Sequence, residues 1–311
     1  MRGDFGLALD MPDSFVAWAE PGRGVIRIAP VTVDASIASH LLVHHPTIMT
    51  SATMTTGGSF APVARRLGLV DRPLEEDPAA FDVEDPLSRT YEGLRVDGSF
   101  EYARQGLLYV ASHLPDPREE NWSSAAGQEM KALAEAGGGR ALILTTSYRM
   151  LEIAAATLQG GSFDVLVQGT MPKKQLIARF AATETSTLVA TMGYWEGIDV
   201  PGPSLSLVVI DRIPFPRPDD PLMQARRDAV TERGGSAFDE VDLPHATVLL
   251  AQGSGRLIRN ESDRGVVAVL DRRLTAMRYG QRILRSMPRL LRTSDPDRAV
   301  RFLRDLAAGR Q

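Results

Sequence analysis

The sequence contains no cysteine. Disulfides, thiolate zinc sites, iron–sulfur ligation and a cysteine nucleophile are therefore excluded for these residues. Lysine is almost as scarce: Lys131, Lys173 and Lys174 are three of 35 basic residues. No apolar run approaches the roughly 18 residues of a membrane helix, so no membrane contact is expected. The first twenty residues carry acids and no long apolar segment, so no secretory leader is expected and the location expected is cytoplasmic. A G-x-x-x-x-G-K-S/T loop is missing, and so is a D-E-A-H-like acidic box. The chain thus supplies neither the cradle for β- and γ-phosphates nor the usual magnesium site. The lack of a G-x-S-x-G elbow disfavours a serine hydrolase. His40 and His44 stand four residues apart, but no third ligand lies near them, and no metal site is expected.

What is present is a globular composition: 311 residues, 43% hydrophobic and 24% charged. At about 150 residues per domain, two domains, or one large domain with additions, are expected. The net charge of −4 hides a polarity. Residues 252–292 hold ten arginines and three acids, whereas residues 73–86 hold six acids and no base. A basic segment inside an acidic chain suits phosphate contacts. An arginine-biased, solvated surface accounts for the same composition.

Short runs rich in Val, Ile and Leu predict strands buried on both faces: 107–111, 141–146, 164–168, 187–191, 205–210 and 265–271. Helical patterns lie between them, at 121–137, 147–160, 173–183, 220–234 and 244–259, with two more towards the C-terminus. Such alternation predicts an α/β fold with a parallel sheet and helices on both faces. Residues 211–221 hold four prolines in eleven positions and predict an extended loop. Residues 15–30 predict a hairpin, 34–46 a helix and 47–53 a strand, too few elements to close a core. The boundaries expected are 1–58 for the tail of a first domain, 59–90 for a linker with an acidic connection, and 91–311 for a second domain.

Three constellations bear chemistry. Gln252, Gly255, Arg256 and Arg259 form Q-x-x-G-R-x-x-R. On a continuous helix these spacings share one face and present guanidinium forks that suit a polyanion. Glu196, Gly197, Asp199 and Gly202 crowd the loop after the strand at 187–191, where parallel sheets bind ligands; a tight turn around Trp195 explains the same residues. Ser51 and Thr53, Thr146 and Ser147, and Thr191 follow predicted strands. Hydroxyls there contact phosphate backbones or simply cap helices.

The order of these segments carries more than any one of them. TSAT, ILTTSY, GYWEGIDVPG, LSLVVIDRIPFPRPDDPL and QGSGRLIRNESDRGVVAVLDRRL, together with GSFEYARQGLLYVASHLPDP, resemble the carboxyl-terminal half of a superfamily-two DNA helicase of the DinG/XPD family. The resemblance spans roughly residues 14–290. It implies a RecA-like second motor domain preceded by the tail of a first RecA-like domain. The Walker loop and acidic box would belong to the missing amino-terminal half, and ATP with Mg2+ would be shared with it. The resemblance further makes Arg259 the arginine finger, with Arg256 and Gln252 beside it. Glu196, Gly197, Asp199 and Gly255 would line the nucleotide cleft. Ser51, Thr53, Thr146, Ser147 and Thr191 would lie near single-stranded or forked DNA, or couple it to the cleft. Many members carry an iron–sulfur cluster in the first domain, and none is expected here. Three readings stay open: a motor half that is inactive alone, a non-catalytic single-strand-binding accessory or regulatory module, and a remnant of a broken gene.

Overall fold

The computed structural model describes residues 11–194, apart from 21, 23, 52, 56–57, 72–89 and 97–99, and residues 205–309. The chain divides into two compact units, Met1–Val96 with Phe215–Ala246, and Asp97–Pro214 with Thr247–Gln311. Residues 215–246, expected in the second domain, thus fold with the first unit. The acidic connection falls mostly outside the described residues.

In the first unit, β1 (Phe15–Glu20) and β2 (Val25–Pro30) form the expected antiparallel hairpin. A short helix α1 (Asp34–Ile37) continues as a π-helical turn over Ala38–Leu42. Helix α2 (Ala61–Arg66) follows. Strands β3 (Val70–Asp71) and β4 (Thr90–Tyr91) pair in parallel. Residues 47–51 form no strand, contrary to expectation; Ile48 is 93% exposed, so no burial holds this segment in a sheet. Helix α7 (Pro221–Glu232) starts with Pro221 after Asp220, whose carboxylate accepts the Met223 amide at 2.9 Å. It packs on β1, and Arg226 Nε donates to the Val31 carbonyl at 2.9 Å. The proline-rich loop before it has no regular structure.

The second unit is a seven-stranded sheet. Its strands are β5 (Gly106–Val110), β6 (Ala141–Thr145), β7 (Asp164–Val167), β8 (Ser186–Thr191), β9 (Leu207–Ile210), β10 (Gly265–Val269) and β11 (Leu291–Thr293). The order is β11-β5-β10-β9-β6-β8-β7, with every neighbouring pair parallel. All side chains of β5, β6, β9 and β10 are buried, as continuous apolar strands require. Leu107, Tyr109, Ile143, Val209 and Ala268 face one core; strand alternation turns Leu108, Leu142, Val208 and Val267 to the other face.

Helix α4 (Trp122–Ala136) buries Trp122, Ala126, Met130, Leu133 and Ala134, a single stripe at helical spacing. It packs against α5 (Tyr148–Leu158) and α11 (Pro296–Ala307). Helices α6 (Lys173–Ala182), α8 (Leu243–Ser254) and the short α9 (Arg273–Ala276) and α10 (Gly280–Ser286) complete the unit's connections, and the right-handed rule for parallel crossovers assigns them to the opposite face. The pair α9 and α10 replaces one predicted helix, and a short helix α3 (Tyr102–Gln105) leads into β5.

Candidate functional site

In a parallel sheet, strand-to-helix loops leave at the carboxyl edge and helix-to-strand loops arrive at the amino edge. The sequence-predicted residues of the second unit divide between the two edges.

The arginine motif lies at the amino edge. Helix α8 ends at Ser254, whose buried hydroxyl donates to the Leu250 and Ala251 carbonyls at 2.8 and 3.0 Å. The Gly255 and Arg256 amides close the last turns, and residues 257–264 run as a loop into β10. Gln252, Gly255, Arg256 and Arg259 therefore do not share one helical face; only Gln252 is helical. The expected helix was too long because Leu257 and Ile258 continue the apolar period, yet they are buried by the loop itself, at 2% and 5% exposure.

The loop is tightly held. The Asp263 carboxylate accepts the amides of Arg259 at 2.8 Å and Asn260 at 3.1 Å. The Asn260 side-chain oxygen accepts the Ser262 amide and hydroxyl and the Asp263 amide at 2.7–2.9 Å. Arg259 Nε donates to the Arg256 carbonyl at 3.0 Å. Both guanidinium residues are half-buried. Planar forks on a fixed backbone suit phosphate oxygens.

Two buried aspartates organise the carboxyl edge. Asp211, after β9, accepts the Thr146 amide and hydroxyl at 3.0 and 3.1 Å, the Arg212 amide at 2.7 Å and Arg212 Nε at 3.5 Å. Burial raises its carboxyl to about 6, against the opposing Arg212 charge and these hydrogen bonds. The Arg212 guanidinium lies 4.6 Å over the Trp122 ring, and Trp122 Nε1 donates to the Leu270 carbonyl at 3.1 Å. Asp271, after β10, accepts the Ile213 amide at 2.9 Å and two guanidinium nitrogens of Arg273 at 2.9 and 2.7 Å.

Thr191, at the end of β8, donates its amide and hydroxyl to Gln168 Oε1 at 2.7 and 3.0 Å. Ser147 accepts the Met150 amide at 3.2 Å and caps α5. Thr146 and Thr191 thus sit at neighbouring strand exits, β6 beside β8, and both are half-buried. In the first unit Ser51 and Thr53 form their own pair, with hydroxyls 3.2 Å apart. Glu196, Gly197 and Asp199 lie outside the described residues. Asp211, Asp271, Gln168 and Gln105 were not singled out from sequence. For the two aspartates a signal existed: an acid directly after a buried strand, in VVID and AVLD.

Among the described residues, no group of three histidine or acidic side chains is placed to hold a metal ion, and no helix is long and apolar enough to cross a membrane.

Comparison with known proteins matches the sequence to a family. Residues 130–290 match the model of the helicase C-terminal domain. The chain is 43% identical over 307 residues to the ATP-dependent helicase DinG of Mycobacterium tuberculosis, covering 96% of this chain and 44% of that protein. It is 39% identical over 257 residues to the ATP-dependent DNA helicase YoaA of Escherichia coli, covering 82% of this chain and 37% of that protein. The chain therefore spans less than half the length of these relatives. A solved XPD helicase structure shares the fold, with a TM-score of 0.63 at 17% identity over 93% of this chain and 49% of that one. Together with the parallel α/β sheet, the match over 130–290 establishes that the chain belongs to the helicase C-terminal domain family.

Proposed function

We propose that the chain is the second motor domain of an ATP-dependent DNA helicase of the DinG/XPD kind, acting in the cytoplasm. The observation that supports this reading is the division of the candidate residues between the two edges of one sheet. A braced arginine loop stands at the amino edge, and threonines tied to buried acids or amides stand at the carboxyl edge. The donor set of Arg256, Arg259 and Gln252 fits phosphate oxygens and does not fit a cation, so Mg2+ would be held by the amino-terminal half.

In this reading, Arg259 stabilises charge on the transferring phosphoryl group, a role worth about 10³–10⁵ in rate in related nucleotide hydrolases. Arg256 and Gln252 stand beside it. Gly255 lies in the arginine loop, and Glu196, Gly197 and Asp199, which follow β8 in sequence, are assigned to the nucleotide by the family resemblance and not by the division of edges. ATP with Mg2+ would supply the phosphoanhydride whose cleavage drives stepping. Thr146, Ser147 and Thr191 contact the backbone of single-stranded or forked DNA without reading bases, or couple it to the cleft, and Ser51 and Thr53 are assigned the same roles separately. Cleft closure brings Arg259 to the phosphates and opening withdraws it, which couples turnover to movement through differential contacts in two states.

The test is a DNA-stimulated ATPase assay on the purified chain, with and without a first motor domain bearing a Walker loop. Turnover only in the mixture supports the proposal. Robust turnover by the chain alone would falsify it. Salt-sensitive single-strand binding with no turnover in either sample points instead to the accessory module.

A further inference from the structure

Gln105, the last residue of α3, is 2% exposed. Its Nε2 faces three backbone carbonyls of the arginine loop: Asn260 at 2.8 Å, Glu261 at 3.3 Å and Asp263 at 3.2 Å. Only the nitrogen end of a carboxamide can face a ring of carbonyl oxygens, so Oε1 points the other way, where it is buried without a hydrogen-bond partner. A methionine would fill similar volume without that unpaired acceptor. What the carboxamide adds is confined to the loop.

The surroundings make this attachment rigid. Gly106 and Gly265 open β5 and β10 side by side. A Cβ on Gly106 would lie 2.4 Å from the Gly265 carbonyl oxygen, and one on Gly265 would lie 2.4 Å from that of Ser206. The backbones therefore meet at closest approach, and Gln105 stands at that junction. Asp263 braces the loop from within through the Arg259 and Asn260 amides. Gln105 braces it from outside, from a residue 155 positions away in sequence.

We propose that Gln105 is a positioning residue for hydrolysis: it locks residues 259–263 so that the Arg259 backbone is set before nucleotide arrives. This rests on the arginine-finger reading for its catalytic consequence, but not for its structural one.

Gln105→Met and Gln105→Glu are compared with wild type and Arg259→Ala. Hydrogen exchange is measured on the chain, and steady-state kinetics are measured in the motor assembled with a Walker-bearing first domain. Amides 259–263 are expected to exchange at least about tenfold faster in Gln105→Met, and faster still in Gln105→Glu, whose carboxylate repels the three carbonyls. Amides of β5 and β10 keep their protection. The kcat of Gln105→Met falls about 10²-fold, as expected for loss of near-attack placement, while KM for ATP and single-strand affinity stay within about twofold. Unchanged exchange in both variants overturns the proposal. So does unchanged kcat when Arg259→Ala is inactive, and so does a uniform loss of kcat, nucleotide affinity, DNA affinity and melting temperature. If Arg259→Ala turns over normally while Gln105→Met loosens the loop, the finger reading and the catalytic part of the proposal fail, and only the structural lock of residues 259–263 stands.

Discussion

The two edges of the parallel sheet both use buried carboxylates to hold main-chain amides, but the carboxyl edge adds guanidinium partners to them. At the carboxyl edge, Asp211 and Asp271 accept from the guanidinium groups of Arg212 and Arg273, their near neighbours in sequence. At the amino edge, Asp263 accepts the backbone amides of Arg259 and Asn260. At the carboxyl edge the buried acids bind guanidinium groups and main-chain amides together. At the amino edge Asp263 binds the main chain that carries Arg259. An arginine whose charge is matched by a buried acid is a structural part, whereas the loop at the amino edge is set by bonds to its own backbone.

Four experiments break or sharpen this contrast. The largest expected effect is Arg259→Ala in the assembled motor, which should lower DNA-stimulated turnover at least about 10³-fold. Single-strand affinity measured by fluorescence anisotropy should barely change. Asp271→Ala should cost about 3–5 kcal/mol in urea unfolding, because it strands the largely buried Arg273. A loss well below that range would remove the distinction between the edges.

Third comes pH. The Asp211 carboxyl sits near 6 in the folded chain, against an ordinary value of 3.8. The folded state therefore holds this proton more tightly than the unfolded state. The resulting stability is fully present below about 4 and is lost as pH rises through 6. The change is about 3 kcal/mol. Chemical denaturation between pH 4 and 6.5 should show this decline in wild type and lack it in Asp211→Asn.

The smallest effect belongs to Ser147. Ser147→Ala should cost about 1 kcal/mol through the lost cap. Ser147→Asp should keep the cap yet weaken single-strand binding, through its charge beside phosphate. Equal binding by both variants would restrict Ser147 to capping.

Much of the fold was legible because parallel strands announce themselves as uninterrupted apolar runs. The runs at 141–146 and 265–271 locate β6 and β10 to within a residue or two. Strand β11 escaped because Leu-Arg-Thr is only three residues long and two of them are exposed. The helix over 244–259 was overextended because Leu257 and Ile258 imitate its period while serving the loop. Residues 215–246 read as part of the second domain because nothing local records that α7 packs on β1. At the site, the motif order exposed the arginines and hydroxyls. It did not expose their supports: Thr146 finds Asp211 across 65 residues, Ile213 finds Asp271 across 58, and Gln105 reaches its loop across 155. Pairings at such distances follow from the strand order, which periodicity does not encode.

The brevity of β11 has a consequence for solubility. It is the border of the sheet beside β5, whose five residues are apolar or glycine and wholly interior. A three-residue rim carrying Arg292 offers little ladder for a neighbouring molecule to extend. Cutting the chain before Leu291 would bare the flank of β5 and turn a closed margin into a template for fibrillar self-association.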